Sequence, residues 1–276
     1  MLINALQSDI LEHLGYFGYL TVSQIQRLTG KSLGYIRQVM AILVQRKYIA
    51  SFHIEVATKR TENMYTLTKE GKALLQQHEK VFPIIRTPIG NPIIVRDFTH
   101  RKNYTDFVIS VVLFLRSKGI AIPLFLSYFD FVGDNRTQKN GALQSRTKIP
   151  LDENAAFAPD GVIITDHNSK QTLLLLEMYN GRDTIRVVNQ LYHKHAIAIS
   201  KGTPGTTFNI PANPFVFSCF EFDGCKKAVI KRLLQDSGFT AMSNLFFFAS
   251  LDDVIQDFPT AWHTIHGEPF LIDRLQ

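Results

Sequence analysis

Apolar positions in the first fifty residues recur at helical spacing in three short blocks. From Ala5 to Tyr16, Leu6, Ile10, Leu11 and Leu14 fall three or four residues apart, the period that lines one face of an α-helix. Thr21 or Ser23 caps a second short helix carrying Ile25 and Leu28, and Gly30 closes it. Ser32 opens a third, with Ile36, Val39, Met40, Leu43 and Val44 on its buried face. Lys31, Tyr35, Arg37, Gln38 and Arg46 are left for solvent or a ligand. The period then changes to two. An alternating run, Tyr48 to Val56, a polar turn containing Lys59, Arg60, Thr61 and Glu62, and a return strand, Asn63 to Leu67, precede a helix from Lys69 to Gln77.

Three prolines and a glycine between Val81 and Pro92 mark a connection or an extended arm. Beyond it, Phe98 to Lys118 reads as a helix with Phe107, Val108, Val111, Val112 and Leu115 facing inward, followed by an apolar strand from Ile120 to about Phe131. Gly133 to Pro150 is polar and basic, the composition of a mobile loop. Two hydrophobic runs, Gly161 to Asp166 and Gln171 to Leu176, flank the turn residues His167 to Lys170 and so predict a hairpin. Pro159-Asp160 precedes the first run and Glu177 follows the second, so the hairpin brings both carboxylates to one end, where they can share a divalent cation. A helix from about Asp183 to Ser200 and an apolar strand, Pro214 to Phe220, complete the order helix, three strands, helix, strand. The fold class is α/β in the α+β sense. The division is 1–80 for the first module, 81–97 for the linker and 98–276 for the second module.

With 45% hydrophobic and 20% charged residues over 276 positions, the chain is long and apolar enough to bury one large core or two modest ones. The net charge of +6 is uneven: residues 1–86 hold 11 Lys+Arg against 6 Asp+Glu, and the remainder 19 against 18. A basic module joined to a near-neutral one fits a nucleic-acid binder that carries a second function. The two cysteines make neither a disulfide framework nor a zinc site, which points to a reducing compartment. The opening Met-Leu-Ile-Asn lacks a basic segment followed by an apolar one, and no apolar stretch approaches the roughly 20 residues that span a bilayer. A cytoplasmic protein with no membrane partner is expected.

Three helices followed by a basic turn between two strands resemble a winged helix, and YTLTKEGKALL at Tyr65 to Leu75 is typical of such domains. The resemblance implies that the third helix enters the major groove of double-stranded DNA. Tyr35, Arg37 and Gln38 then meet base edges, while Lys31, Lys59 and Arg60 meet phosphate. A solvated helix face and turn, or a winged helix that contacts protein, is the alternative.

The second module resembles the restriction-endonuclease-like, or PD-(D/E)xK, superfamily in APDGVIITD and LLLLEMYNG, with sixteen residues between Asp160 and Glu177. The resemblance implies an αβββαβ core with a mixed sheet, and one or two Mg2+ or Mn2+ ions on Asp160 and Glu177, hard cations on oxygen donors. It departs from the pattern at Tyr179, which occupies the place of the usual lysine. Arg186, Gln190 and Lys194, four residues apart on the next helix, offer a replacement from one face. Tyr179 and Tyr192 are alternative nucleophiles. The fold also commonly draws an acidic ligand from its first helix, where His100, Asn103 and Asp106 stand at three-residue steps; His100 is a candidate catalytic residue and Asp106 a candidate ligand. His193 and His195 lack the partner pair of a zinc site and read as polar helix residues or phosphate contacts.

Taken together with FFFASLDDVIQDFPTAW, ending at Trp262, the chain is similar to the replication-relaxation family, which is close to the MobC-type plasmid mobilisation relaxases. The resemblance implies a metal-dependent protein that binds a duplex site on a plasmid or integrative element and nicks one strand. Candidate partners beyond that DNA are an accessory mobilisation protein and a second copy of the chain. Two rivals stand beside it: a DNA-binding regulator or replication accessory protein with an inactive nuclease-like module, and an ordinary double-strand endonuclease. No glycine-rich nucleotide loop points to a helicase or ligase.

Overall fold

The computed structural model describes residues 3–53, 55–56, 59–60, 62–77, 86, 98–132 and 144–270. The chain divides into two compact units, Met1–Ile109 and Ser110–Gln276.

The first unit opens with α1 (Ala5–Phe17), β1 (Leu20–Thr21), α2 (Val22–Thr29) and α3 (Leu33–Gln45). Asn4 with Gln7, and Thr21 with Gln24, form reciprocal capping boxes that satisfy the first free N–H groups of α1 and α2. Gly30 ends α2 in the left-handed region, φ 67°, and Ser32 caps α3. Ile36, Val39, Met40 and Leu43 are buried along α3 as expected, but Val44 is exposed. It lies about 80° round the helix from Ile36, past the edge of the apolar stripe. Next come β2 (Ile49–Phe52), β3 (Glu55–Val56), β4 (Lys59–Arg60), β5 (Met64–Leu67) and α4 (Lys69–Gln77). β5 lies between β1 and β2, antiparallel to both, and β3 pairs with β4. The expected polar turn is therefore partly a strand, since Lys59 and Arg60 extend the wing. Glu62 ties the wing's return to α2, its carboxylate accepting from the Ser23 N–H and hydroxyl, each at 2.7 Å.

The boundary between the units falls inside α5 (Phe98–Ser117) rather than before it. The first turns of that helix belong to the N-terminal core: Phe98 packs with Tyr19 and Met64, Arg101 stacks 4.6 Å from the Tyr19 ring centre, and Gln24 Nε2 donates to the Lys102 carbonyl at 3.1 Å. Apart from Arg86, whose N–H donates to the Gly15 carbonyl at 2.9 Å, the expected linker lies outside the described residues.

In the second unit β6 (Ala121–Ser127) ends earlier than the apolar run suggests. The Asp130 carboxylate accepts from the Ser127 N–H at 2.7 Å and folds a turn, after which β7 (Phe131–Val132) is a separate short strand. β7 pairs with β8 (Gln144–Ser145), and β9 (Ile149–Pro150) with β10 (Ala156–Phe157), so residues 144–150 are ordered where a mobile loop is expected. β11 (Gly161–His167) and β12 (Lys170–Tyr179) form the expected hairpin. A helical stretch follows, α6 (Thr184–Asn189), a π segment over Gln190–Ala196 and α7 (Ile197–Ser200). Then come α8 (Thr203–Phe208), β13 (Phe215–Phe220), α9 (Asp223–Leu233), α10 (Ser237–Thr240), β14 (Phe246–Ser250), α11 (Leu251–Gln256) and α12 (Phe258–Ala261).

The main sheet runs β14-β13-β12-β11-β6, antiparallel from β6 to β12 and parallel from β12 to β14. This is a mixed sheet, with β14 added beyond the expected order. β12 is central and buried from Thr172 to Tyr179, as a strand covered on both faces must be. Leu174 and Leu176 line a small apolar cavity with Val111, Leu115 and Phe217, so the odd-numbered positions, Glu177 and Tyr179 among them, face the other way.

Gly71 gives a test of the first unit's packing. A Cβ there would stand 2.1 Å from the Tyr48 carbonyl oxygen. The helix-propensity gain from Gly to Ala is about 1 kcal/mol, smaller than the roughly 1–3 kcal/mol cost of overpacking against backbone. Gly71→Ala is therefore expected to lower the Tm of the first unit in a thermal melt followed by circular dichroism.

Candidate functional site

The hairpin register sets the site. Asn168 and Ser169 both take positive φ, 53° and 65°, which makes the two-residue turn that suits strand twist. His167 then faces Lys170, and the ladder runs to Gly161 opposite Leu176. Asp160 and Glu177 follow as the next pair out. β12 continues past its partner here, and Glu177 to Tyr179 pair with Ser218 to Phe220 of β13 instead. The half-buried Asp160 is locked to this overhang, its Oδ2 accepting from the Met178 N–H at 2.7 Å.

Glu177 is 4% exposed, and His195, fully buried, meets it: Nε2 and Oε1 are 2.6 Å apart in a hydrogen bond. Gln190 Nε2 donates to the same oxygen at 3.3 Å. Both bonds fall on Oε1. Gln190 and His195 reach one carboxylate because they are five residues apart in the π segment, whose hydrogen bonds span five residues where an α-helix spans four. The expected Arg186, Gln190, Lys194 face is thus broken after its second member. Lys194 is half-buried and forms no ion pair among the described residues, and Arg186 is exposed. His195, expected as a polar helix residue or phosphate contact, is instead core, with the Phe157 ring edge-on at 4.7 Å, while His193 is exposed. Alternation of polar and apolar residues in QLYHKHA cannot show this, because the helical period itself changes.

Burial pushes the Glu177 carboxyl above its ordinary range, against the lowering by His195, and the Asp160 charge adds to the rise. Tyr179 is buried as well. Its phenol is held well above the ordinary value, first by burial and then by the charges of Glu177 and Asp160, so it is neutral at physiological pH. Tyr192 is half-buried.

Two of the expected residues, His100 and Asp106, lie in the first unit. His100 stacks on Tyr104, ring centres 6.5 Å apart. Asp106 is buried with Oδ1 2.8 Å from the Arg27 guanidinium and Oδ2 2.9 Å from Lys102 Nζ. Both carboxylate oxygens face cations of their own unit, which corrects the expectation of an open ligand.

Among the described residues, no group of three or more His, Cys, Asp or Glu side chains is placed to hold a metal ion. Such a donor set does not suit zinc, which wants about four protein ligands in a closed site. It does fit Mg2+ or Mn2+, which take one or two carboxylates and fill the remaining positions with water and substrate phosphate. Glu177 Oε2, outside both hydrogen bonds, and Asp160 would be the donors.

On the first unit, Lys31, Tyr35, Arg37 and Gln38 are all exposed at the start of α3, Tyr35 by 46%. Neither Lys31 nor Arg37 forms an ion pair among the described residues. Of Lys59 and Arg60, the structure describes the backbone strand alone.

A winged helix and a mixed sheet with an acidic pair at one end define the class by fold. The chain belongs to the replication-relaxation family, whose model matches residues 11–196 and so takes in the wing, Asp160, Glu177 and His195. Membership places it among proteins of DNA replication or mobilisation. Among solved structures, the adhesin competence repressor AdcR from Streptococcus pyogenes is 18% identical over 28% of this chain and 55% of its own, with a TM-score of 0.25. A mutant MarR from E. coli complexed with operator DNA is 16% identical over 42% of this chain and 75% of its own, TM-score 0.26. The restriction endonuclease FokI bound to DNA is 15% identical over 91% of this chain and 43% of its own, TM-score 0.31. The chain therefore spans about half the length of AdcR and less of FokI. No curated protein matches it by sequence. No described helix is long and apolar enough to cross a membrane.

The raised Glu177 pKa carries a signed prediction. A carboxyl whose folded value lies above the ordinary 4.5 contributes stability below the unfolded pKa and loses it as pH rises through the folded one. Glu177→Gln keeps the shape and removes the titration. In EDTA, the Tm of the variant relative to wild type is expected to be higher at about pH 8 than at about pH 4; a difference independent of pH would show that Glu177 titrates normally.

Proposed function

We propose that the chain recognises a duplex site on a plasmid or integrative element through α3 and the wing, and nicks one strand at the Asp160–Glu177 end of the second unit. The observation that carries the reading is the hairpin register, which sets a buried acid beside a half-buried one at the end of a mixed sheet. The resemblance to MobC-type relaxases and to the PD-(D/E)xK pattern supports it. A Mg2+ or Mn2+ ion on Asp160 and Glu177 would supply Lewis acidity and lower the pKa of a water molecule.

The chain's own groups do the rest. The Met178 N–H fixes Asp160, and Gln190 and His195 hold Glu177 in one rotamer, so the acidic pair is oriented before DNA arrives. Tyr179 is a poor nucleophile because attack needs an ionised phenol, which burial and two neighbouring carboxylates oppose. Water is the attacking group in this reading, in place of Tyr179 or of Tyr192, whose hydroxyl lies beside Gly238, and the nicked strand is released without a covalent protein link.

The second reading is a DNA-binding regulator or replication accessory protein whose core is inactive. Tyr179 favours it, since a neutral phenol cannot offset phosphate charge as a lysine does.

Supercoiled plasmid carrying the gene's own flanking DNA separates the two. Open circles formed with Mg2+ or Mn2+, lost in EDTA and in Glu177→Ala, and migrating identically with and without proteinase are expected. Site-specific binding with no cleavage by either protein selects the regulator, and linear product with no nicked-circle stage selects a double-strand endonuclease. On the first unit, Arg37→Ala is expected to cost about 1–3 kcal/mol at the cognate site and to relax its specificity. Lys31→Gln should weaken all sequences alike and lower the slope of log K against log salt by about 1. Both are read by fluorescence anisotropy.

A further inference from the structure

We propose that Arg146 and Lys148 are a phosphate clamp, holding the DNA backbone beside the Asp160–Glu177 end; the inference rests on the DNA reading above. The two residues sit between β8 and β9 in a segment fastened from several sides. Thr147, fully buried between them, donates its hydroxyl to the Pro159 carbonyl at 2.8 Å, directly before Asp160. The Arg146 N–H donates to the Asp130 carbonyl at 2.7 Å, and the Lys148 N–H to the Ser145 carbonyl at 3.2 Å. Ser145 Oγ donates to the Tyr128 carbonyl at 3.2 Å, and the Tyr128 N–H donates to the Asp160 carbonyl at 2.8 Å. The backbone that presents the two cations is thereby tied to the backbone on both sides of the Pro159-Asp160 bond.

The side chains themselves are exposed, and neither forms an ion pair among the described residues. They line an open groove of about 540 Å³ with Gln144, Ser145 and Pro150, and among the described residues no carboxylate lines it. Another charged pocket of this unit differs: Arg182 there shares about 490 Å³ with Glu221 and Asp223, so acids stand beside its charge. A groove with two unanswered cations on a rigid ribbon suits a polyanion that runs past the site, and two successive phosphates match two cations separated by one buried residue. The clamp also brings positive charge to a site whose motif lysine is Tyr179. Arg146 and Lys148 are positioning residues in this scheme, since they hold the strand and do not touch the reacting phosphate.

The test is anisotropy of a fluorescein-labelled duplex of mixed sequence with the full chain, titrated over about 50–200 mM salt. Each phosphate that the protein no longer neutralises removes about 0.9 from the slope of log K against log salt. Arg146→Gln/Lys148→Gln is expected to lower the slope by about 1.8 and to weaken binding to all sequences alike, with Tm unchanged because both side chains are exposed. Arg146→Lys/Lys148→Arg is expected to keep the wild-type slope, which an effect on folding would not do. A double Gln variant with the wild-type slope and affinity overturns the clamp and leaves the DNA reading standing. Wild type that binds no duplex at any salt overturns the DNA reading, and the clamp with it.

Discussion

The register of the β11–β12 hairpin is the constraint on which the second unit depends. Side chains alternate across a strand, so a slip of one residue would carry Glu177 to the face that Leu174 and Leu176 now share with the helix α5, and place a leucine against His195. Asn168 accepts a left-handed conformation readily and Ser169 less so. The Asp166 carboxylate, accepting from the Ser169 N–H at 3.1 Å, supports the strained position. The continuous burial of β12 reinforces the turn, because every residue from Thr172 to Tyr179 has neighbours that a slip would mismatch.

A buried carboxylate needs partners, and the unit supplies them by distorting a helix. An isolated charge in an apolar interior is costly by several kcal/mol unless paired or hydrogen-bonded. An α-helix would bring Gln190 and Lys194 to one line; the π segment brings Gln190 and His195 instead, a neutral amide and an imidazole. Both partners hold Glu177 in place, yet burial and the Asp160 charge keep its carboxyl above the ordinary range.

Much of this was open to reading in the residues alone. Capping signals at Thr21 and Ser32, the change from helical spacing to period two after Tyr48, and the turn at His167 to Lys170 are local, so the winged helix, the hairpin and the acidic pair follow from short stretches of chain. What was not legible depends on distant partners. The strand β14 is held by β13 and by a bridge from Phe248 to His263, and FFFAS fits a buried strand or a core helix equally well. The π segment has no signature in QLYHKHA, and with it go the burial of His195 and the displacement of Lys194. Asp106 has helical spacing suited to a ligand, but its fate was decided by Arg27, nearly eighty positions earlier.

The buried phenol of Tyr179, neutral at physiological pH, brings no positive charge to the acidic end of the sheet. In a site with an acid pair and a lysine, one side chain both orients and neutralises. Here the buried end of the sheet carries two acids, an imidazole and a phenol, while a ribbon tied to Pro159 and Asp160 carries two exposed cations without an ion pair among the described residues. Coulomb attraction at the surface is screened beyond roughly 8–10 Å of salt solution, so such cations act on a strand they touch and do little for the buried carboxyl. Under the proposed clamp, orientation of the acids and attraction of the polyanion would be separated, the first assigned to the interior and the second to the rim. A core of this kind keeps its acidic pair preset whether or not it cuts, so the presence of Asp160 and Glu177 is weaker evidence of catalysis than a cation-dependent change at Glu177 would be.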